Sequence, residues 1–290
     1  MSAQRVLVLG GTGMLGHKVW QECRRRFETY ATVRRPVPFP GNAIEDVDAF
    51  RPETIARALD LARPDAVVNC IGAIKQRPEG RDPRTAIAVN ALFPHQLAAE
   101  CAERGIRLVH VSTDCVFSGG RGRYRETDTP DPVDLYGRTK LLGEPAGEGC
   151  VTLRASLIGR ELGSAYGLVE WFLAQPGPVQ GFTRAIFSGV TTIVMAEVIA
   201  DLIESHPELD GLWHVAGEAV SKYDLLVMIA EAAGRPVEIE PVEEPALDRS
   251  LDGSRFEGAT GWSPEPMEAM IARMIEDGAL YERPGAELLR

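Results

Sequence analysis

Five residues near the start of the chain, Arg5-Val6-Leu7-Val8-Leu9, run directly into Gly10-Gly11-Thr12-Gly13-Met14-Leu15-Gly16. A strand this short, with no polar alternation, is built to be covered on both faces, as in the centre of a parallel sheet. Residues 14–27 then carry apolar side chains at helical spacing. Strand, glycine turn and helix in immediate succession constrain the fold more than any other feature. In such a turn the first glycine permits the sharp bend and the second lets a pyrophosphate approach the backbone. The third lets helix and strand pack closely. The helix start adds amide donors and positive potential. Gly10, Gly13, Met14, Leu15 and Gly16 are therefore candidate contacts for a dinucleotide.

The alternation continues. Strands are expected at 29–33, around 44–47, at 65–71, 106–112 and 150–157. Helices are expected at 52–63, at 84–104 and around Tyr136, and 36–40 reads as a rigid proline loop. This order predicts an α/β fold with a doubly wound parallel sheet of Rossmann type. Ligands sit beyond the carboxyl ends of such strands. Gly10–Gly16, Cys70-Ile71-Gly72 and Ser112-Thr113-Asp114 all fall at strand ends, so they are expected to line one cleft. Beyond 157 the alternation breaks down. Residues 1–157 are expected to form the dinucleotide-binding domain, with the apolar helix and short strand of 191–215 returning to it. Residues 158–190 and 216–290 are expected to form a smaller substrate-binding lobe.

Several side chains are placed by this frame. Arg34 ends the second strand, where an enzyme selecting NAD would carry a carboxylate for the ribose 2′-hydroxyl. Arginine can instead pair with a 2′-phosphate, which favours NADP(H) over NAD(H). Asp46 and Val47 are positioned to flank an adenine. The small-residue turn at Cys70, Ile71 and Gly72 lets a nicotinamide ribose approach the backbone. Asn90 can turn inward from the long helix, whereas His95 reads as structural. Lys75 and Gln76 fall on the substrate side. Tyr136 and Lys140 stand four residues apart, on one helical face. A cation so placed is expected to lower the phenol pKa and make proton exchange possible near neutral pH.

Composition narrows the function classes. A formal charge of -11 argues against nucleic acid or an anionic membrane as the main partner. The five cysteines are scattered, with no Cys-x-x-Cys pair, which suits reduced thiols in a cytoplasm and supplies no metal site. No signal peptide is expected, and no apolar run is long enough to span a bilayer. The expectation is a soluble cytoplasmic protein, possible as a homodimer.

The order GGTGMLG, VNCIGA, HVSTDCVFSG, YGRTK and LRASLIG resembles the extended short-chain dehydrogenase/reductases. Residues 112–144 make it most similar to the dTDP-4-dehydrorhamnose reductase family. The resemblance covers nearly the whole chain and is strongest over 5–160. It implies hydride transfer from NADPH to the C4 ketone of a nucleotide-linked 4-keto-6-deoxy sugar. Tyr136 would protonate the developing alkoxide. Lys140 would tune the phenol and bond the nicotinamide ribose, and Thr113 would hold the substrate oxygen. Ser112 would lie on the cofactor side, with Asp114, Cys115, Val116 and Phe117 on the substrate side. Sugar 4,6-dehydratases of this superfamily place an Asp-Glu pair after the threonine. Cys115 stands there instead, which disfavours dehydration.

The chain departs from the family pattern at Gly181–Gly189, where Arg184 can pair with a substrate pyrophosphate and Trp171, Phe182 or Phe187 can stack on base or sugar. For Trp171, on an apolar helix, core packing is the expected alternative. Arg249 is a second candidate anion contact. This departure leaves open a UDP-linked 4-keto amino sugar as substrate. An epimerase with retained NAD, or an NADP-binding regulatory subunit like the one that partners methionine adenosyltransferase, are the other readings.

Overall fold

The computed structural model describes residues 4–35, 41–162 and 165–280, so the proline loop expected at 36–40 lies outside the described residues. Strand β1 (Arg5–Leu9) is buried at four of its five positions because both faces of its sheet are covered. Val6 and Val8 join a core with Val19, Trp20 and Cys23 of α1 (Gly16–Arg26), while Leu7 and Leu9 point to the other side. There they meet Ile55 and Leu59 of α2 (Pro52–Ala62).

Between these helices run β2 (Glu28–Thr32) and β3 (Asn42–Ile44), and β4 (Ala66–Asn69) follows α2. The long helix expected over 84–104 is broken into pieces. Short turns α3 (Pro78–Arg81) and α4 (Pro83–Ala86) lead into a π-helical stretch, Ile87–Leu92, and then α5 (Phe93–Glu103). Pro94 accounts for the irregularity. It has no N–H to offer the carbonyl four residues back, that of Asn90, so the helix cannot continue with regular hydrogen bonds there.

β5 (Arg107–Thr113), α6 (Leu135–Leu142) and β6 (Cys150–Ala155) complete the first half. The short β7 (Leu157–Ile158) and α7 (Leu168–Leu173) come next. They are followed by β8 (Val179–Phe182), β9 (Ala185–Phe187), β10 (Val190–Thr191), α8 (Thr192–Ser205) and β11 (Gly211–His214). The chain continues through β12 (Val220–Ser221), α9 (Lys222–Ala232), β13 (Ile239–Val242), β14 (Leu247–Asp248), α10 (Ser254–Thr260) and α11 (Met267–Glu276).

The main sheet has seven strands in the order β11-β6-β5-β4-β1-β2-β3, all parallel. The chain runs outward from β1 to β3 and then returns to place β4 on the other side of β1. A crevice therefore opens beyond the carboxyl ends of β1 and β4. α8 packs on the same face as α1, and β11 adds to the sheet edge beside β6. A second, small sheet, β12-β9-β14, is tied to the segment after β5. Tyr124 bonds the Ser250 carbonyl at 2.9 Å, and Val116, Phe117, Tyr124, Ala216 and Leu251 form a separate apolar cluster.

Beneath that junction lies a buried ion pair. Arg154 on β6 reaches both Glu144 oxygens, at 2.8 and 2.7 Å, and the Ser112 hydroxyl donates to the same carboxylate at 2.6 Å. The guanidinium also lies over the Phe117 ring, 5.2 Å from its centre. Arg154→Leu would leave Glu144 buried without its partner, so stability should fall by roughly 3–5 kcal/mol. A urea titration reads this directly. A loss under about 1 kcal/mol would contradict a structural role for the pair.

Candidate active site

The glycine turn is formed as its spacing requires. Gly10 sits at φ 80°, a left-handed conformation, and a methyl group on Gly16 would overlap the Gly10 carbonyl. The Gly11 N–H bonds the Thr32 carbonyl at 2.9 Å, which anchors the turn to β2. Leu15 precedes α1 without a side-chain cap, and the first turn holds no acidic residue. The positive helix end is thus left to a ligand, with Gly13 exposed above it. These residues fit the pyrophosphate of a dinucleotide.

Around that turn the sequence candidates separate. Arg34 is exposed just past β2. Asp46 adopts φ 55° and gives its carboxylate to Arg51 at 2.5 Å, and Val47 is buried in the core against α2. Gly72 is exposed and Ile71 half-buried at the end of β4, while Cys70 packs against the core. Asn90 was expected to face the cofactor. Its amide is instead spent on protein: it takes the Ala73 N–H at 2.8 Å and donates to the Ala73 carbonyl at 2.9 Å and to Thr139 at 3.3 Å. It ties the loop after β4 to α6. His95 is structural, bonding the Leu142 carbonyl at 2.7 Å.

Ser112 requires a correction. Alternation along β5 turns it away from Thr113 and onto Glu144, so its side chain serves the buried ion pair rather than the cofactor. Val116 and Phe117 are corrected likewise. Both are fully buried in the cluster with Tyr124 and Leu251, and Phe117 stacks on Tyr124 with centroids 4.1 Å apart. The 3-10 turn Asp114–Val116 directs them inward and leaves Asp114 and Cys115 beside Thr113.

The Thr113 hydroxyl donates to Asp114 at 3.0 Å and accepts the Cys115 N–H at 3.2 Å. Tyr136 and Lys140 come to it on α6, whose N-cap is Asp134, accepting the Gly137 N–H at 2.7 Å. Gly137 is what lets the helix approach. Any side chain there would run into the Cys115 carbonyl, and one at Gly143 would run into that of Asn90. Lys75 pairs with Asp134 at 3.2 Å and so lies at the mouth of the same cleft.

The electrostatics differ from the simple expectation. Burial pushes the Tyr136 phenol above the ordinary tyrosine range, reinforced by the nearby Cys115, with a Thr113 hydrogen bond opposing. Burial brings Lys140 down to about 8, and its ammonium donates to the Val111 carbonyl at 2.7 Å. Desolvation dominates the phenol, and the Lys140 cation is not among the main influences that set it, so Tyr136 is held protonated. Burial also raises the Cys115 thiol to about 11, which leaves it a packed thiol and not a nucleophile.

In the lobe, Arg184 is exposed in the turn between β8 and β9. Trp171 is 40% exposed on α7, against the core packing expected for it, while Phe187 is buried. Arg249 reaches the strand-end motif, donating to the Phe117 carbonyl at 3.0 Å with Cys115 Sγ at 3.7 Å. Lys222 and Asp134 had not been singled out from the sequence. Asp134 carried the signal of an N-cap residue before a helix. Lys222 carried the weaker one of a cation in a first helical turn, where the dipole disfavours it. Among the described residues no cluster suits a metal ion, and no helix is long and apolar enough to cross a membrane.

A family model described as the RmlD substrate binding domain matches residues 4–277. The chain is 30% identical over 289 residues to the probable low-salt glycan biosynthesis reductase Agl14 of Haloferax volcanii, covering 92% of this chain and 96% of that one. It is also 30% identical over 287 residues to methionine adenosyltransferase 2 subunit beta of Bos taurus, covering 88% and 82%. In fold it is similar to the dTDP-4-dehydrorhamnose reductase of Bacillus anthracis solved in complex with NADP. There the TM-score is 0.79 at 20% identity, over 96% of this chain and 100% of that one. With a parallel sheet whose carboxyl edge gathers a dinucleotide turn, Thr113, Tyr136 and Lys140, the chain belongs to the dTDP-4-dehydrorhamnose reductase family of the extended short-chain dehydrogenase/reductases.

Proposed function

We propose that this protein is an NADPH-dependent reductase of the C4 ketone of a nucleotide-linked 4-keto-6-deoxy sugar. The observation that carries the reading is the meeting of Thr113 and Tyr136 at the end of β5, with Lys140 buried one helical turn below. A bound nicotinamide supplies the hydride. The chain's own part is to hold the ketone oxygen between the Thr113 hydroxyl and the Tyr136 phenol and to deliver a proton as negative charge develops. A phenol kept protonated by burial is in the right state to donate. Lys140 then stands ready to stabilise the phenolate left behind. Cys115, where a dehydratase needs a carboxylate, keeps the chemistry at the ketone. The loop after β4 contributes Lys75 and the lobe contributes Arg249 as cations at the mouth, with Arg184 and Trp171 as outer contacts to the nucleotide.

A second reading rests on the similarity to the methionine adenosyltransferase subunit, by which the chain would bind a nucleotide and a partner without turnover. Stoichiometric co-purification with a partner, together with no reduction of any sugar, would favour it.

The reductase reading is tested by NADPH oxidation with a panel of dTDP- and UDP-linked 4-keto-6-deoxy sugars, 4-keto amino sugars included. On an accepted substrate Tyr136→Phe should lower kcat by at least about a hundredfold. Full turnover by that variant would remove Tyr136 as proton donor. An epimerase would instead show no net cofactor consumption.

Cofactor choice turns on Arg34. Arg34→Ala should weaken NADPH binding by about tenfold while changing NADH binding less than about twofold. Equal losses would point away from a 2′-phosphate contact.

Lys140 links activity to pH and stability. Its folded-state pKa of about 8 lies below the ordinary lysine value of 10.5, so its charge opposes folding below pH 8. Between those two values the unfolded chain binds the extra proton, and wild-type stability gains as pH rises. Lys140→Met should therefore be the more stable protein at pH 7, with the advantage shrinking toward pH 10.5, and should lose turnover at every pH. Urea titrations at pH 7 and 10 measure this, and an advantage that grows with pH would refute it.

A further inference from the structure

Lys222 has no part in the chemistry above, yet the fold carries it to the same place. Strands β12, β9 and β14 lie side by side, with Ser221 opposite Ile186 and Asp248 opposite Ile186 on the other flank. Lys222 follows β12 directly, and its ammonium lies 3.9 Å from the centre of the Phe187 ring. Arg249 follows β14, is fixed by an N–H bond to the Ile186 carbonyl at 2.9 Å, and reaches Cys115 Sγ at 3.7 Å. One small sheet therefore presents two cations to the turn that begins just after Thr113.

Neither Lys222 nor Arg249 has a carboxylate as its direct contact among the described residues. Lys75 is paired with Asp134. Arg249 is held by the neutral Phe117 carbonyl and the Cys115 sulfur. Lys222 has an aromatic ring as its contact and forms no ion pair among the described residues. Burial lowers its pKa, Asp114 and Cys115 support its charge, and Lys75 and Arg249 oppose it. Asp114 is thus the carboxylate that Lys222 senses, and it is already engaged by the Thr113 hydroxyl, while Asp131 and Asp134 sense Arg249. Lys222 and Arg249 are therefore cations whose direct partners are neutral, with carboxylates acting on them only at longer range. A first helical turn is also a poor place for an ammonium unless something there rewards it.

We infer that Lys222 and Arg249 form a two-cation site that holds an oxyanion of the substrate beside Thr113 and Tyr136, making Lys222 a specificity-determining residue. This deepens the reductase reading and rests on it for the term substrate. Two sources share the required chemistry: the diphosphate of a nucleotide sugar and a carboxylate on the sugar ring.

The test is calorimetry on the full chain saturated with NADPH, using UDP, dTDP, UDP-glucose and UDP-glucuronate as probes against wild type, Lys222→Met and Lys222→Arg. If the diphosphate is held, Lys222→Met should weaken the nucleotides that bind by about tenfold, with or without sugar, and Lys222→Arg should recover most of the loss. If a carboxylate is held, wild type should prefer UDP-glucuronate to UDP-glucose, and Lys222→Met should erase that preference while leaving UDP unchanged. On an accepted ketone the same variant should raise KM more than it lowers kcat. Equal affinities in wild type and Lys222→Met, or no binding of any probe to wild type, overturns the inference. Binding is read without turnover, so a failure of the ketoreductase reading, seen as absent NADPH oxidation, is distinguishable from a failure of this one.

Discussion

The site depends on one close approach, that of α6 to the backbone around it. Gly137 rides against the Cys115 carbonyl and Gly143 against that of Asn90, at distances no side chain would permit. The second contact meets the chain where Pro94 has left the Asn90 carbonyl without its regular helical donor. The Asn90 side chain closes the arrangement by bonding Thr139 on α6 and Ala73 beyond β4. Tyr136 and Lys140 are therefore positioned by backbone-to-backbone packing, which is stiff. The irregular helix before β5 is part of the same construction.

Burial then sets the electrostatics. The phenol, the thiol and the ammonium are all pushed toward their neutral forms. In such surroundings a charge that develops during reaction meets few water dipoles and is answered by fixed groups, which strengthens each of them. The Lys140 ammonium is kept in place by the Val111 carbonyl and not by a carboxylate, so its charge is not cancelled before it is needed. The lobe repeats this pattern, with Arg249 held by a carbonyl and a sulfur and Lys222 by an aromatic ring.

Much of this was legible in the order of residues. The buried strand β1, its glycine turn and the sequence of strands and helices follow from local rules, because a strand covered on both faces must be apolar throughout and a pyrophosphate turn needs glycine. The meeting of the glycine turn and Thr113 at one sheet edge also follows, since parallel strands put their carboxyl ends together. Ser112, Val116 and Phe117 were misplaced for a definable reason. Each sits in the motif beside a site residue, but the pleat of β5 and the 3-10 turn after it send alternate side chains to opposite sides. Trp171 was misread because an apolar helix only six residues long still has an outer face.

What the sequence determined by itself is thus the dinucleotide fold, the strand-end placement of Thr113 and the helical pairing of Tyr136 with Lys140, all products of interactions within a few residues or of sheet periodicity. What only the tertiary structure decided is the direction of the Tyr136 shift and the company that Arg249, Lys222 and Asn90 keep. Desolvation is a property of everything packed around a group, and that packing brings Arg249, more than a hundred residues later in the chain, against Cys115 and sets Lys222 on the Phe187 ring beside it. No local pattern encodes such a meeting.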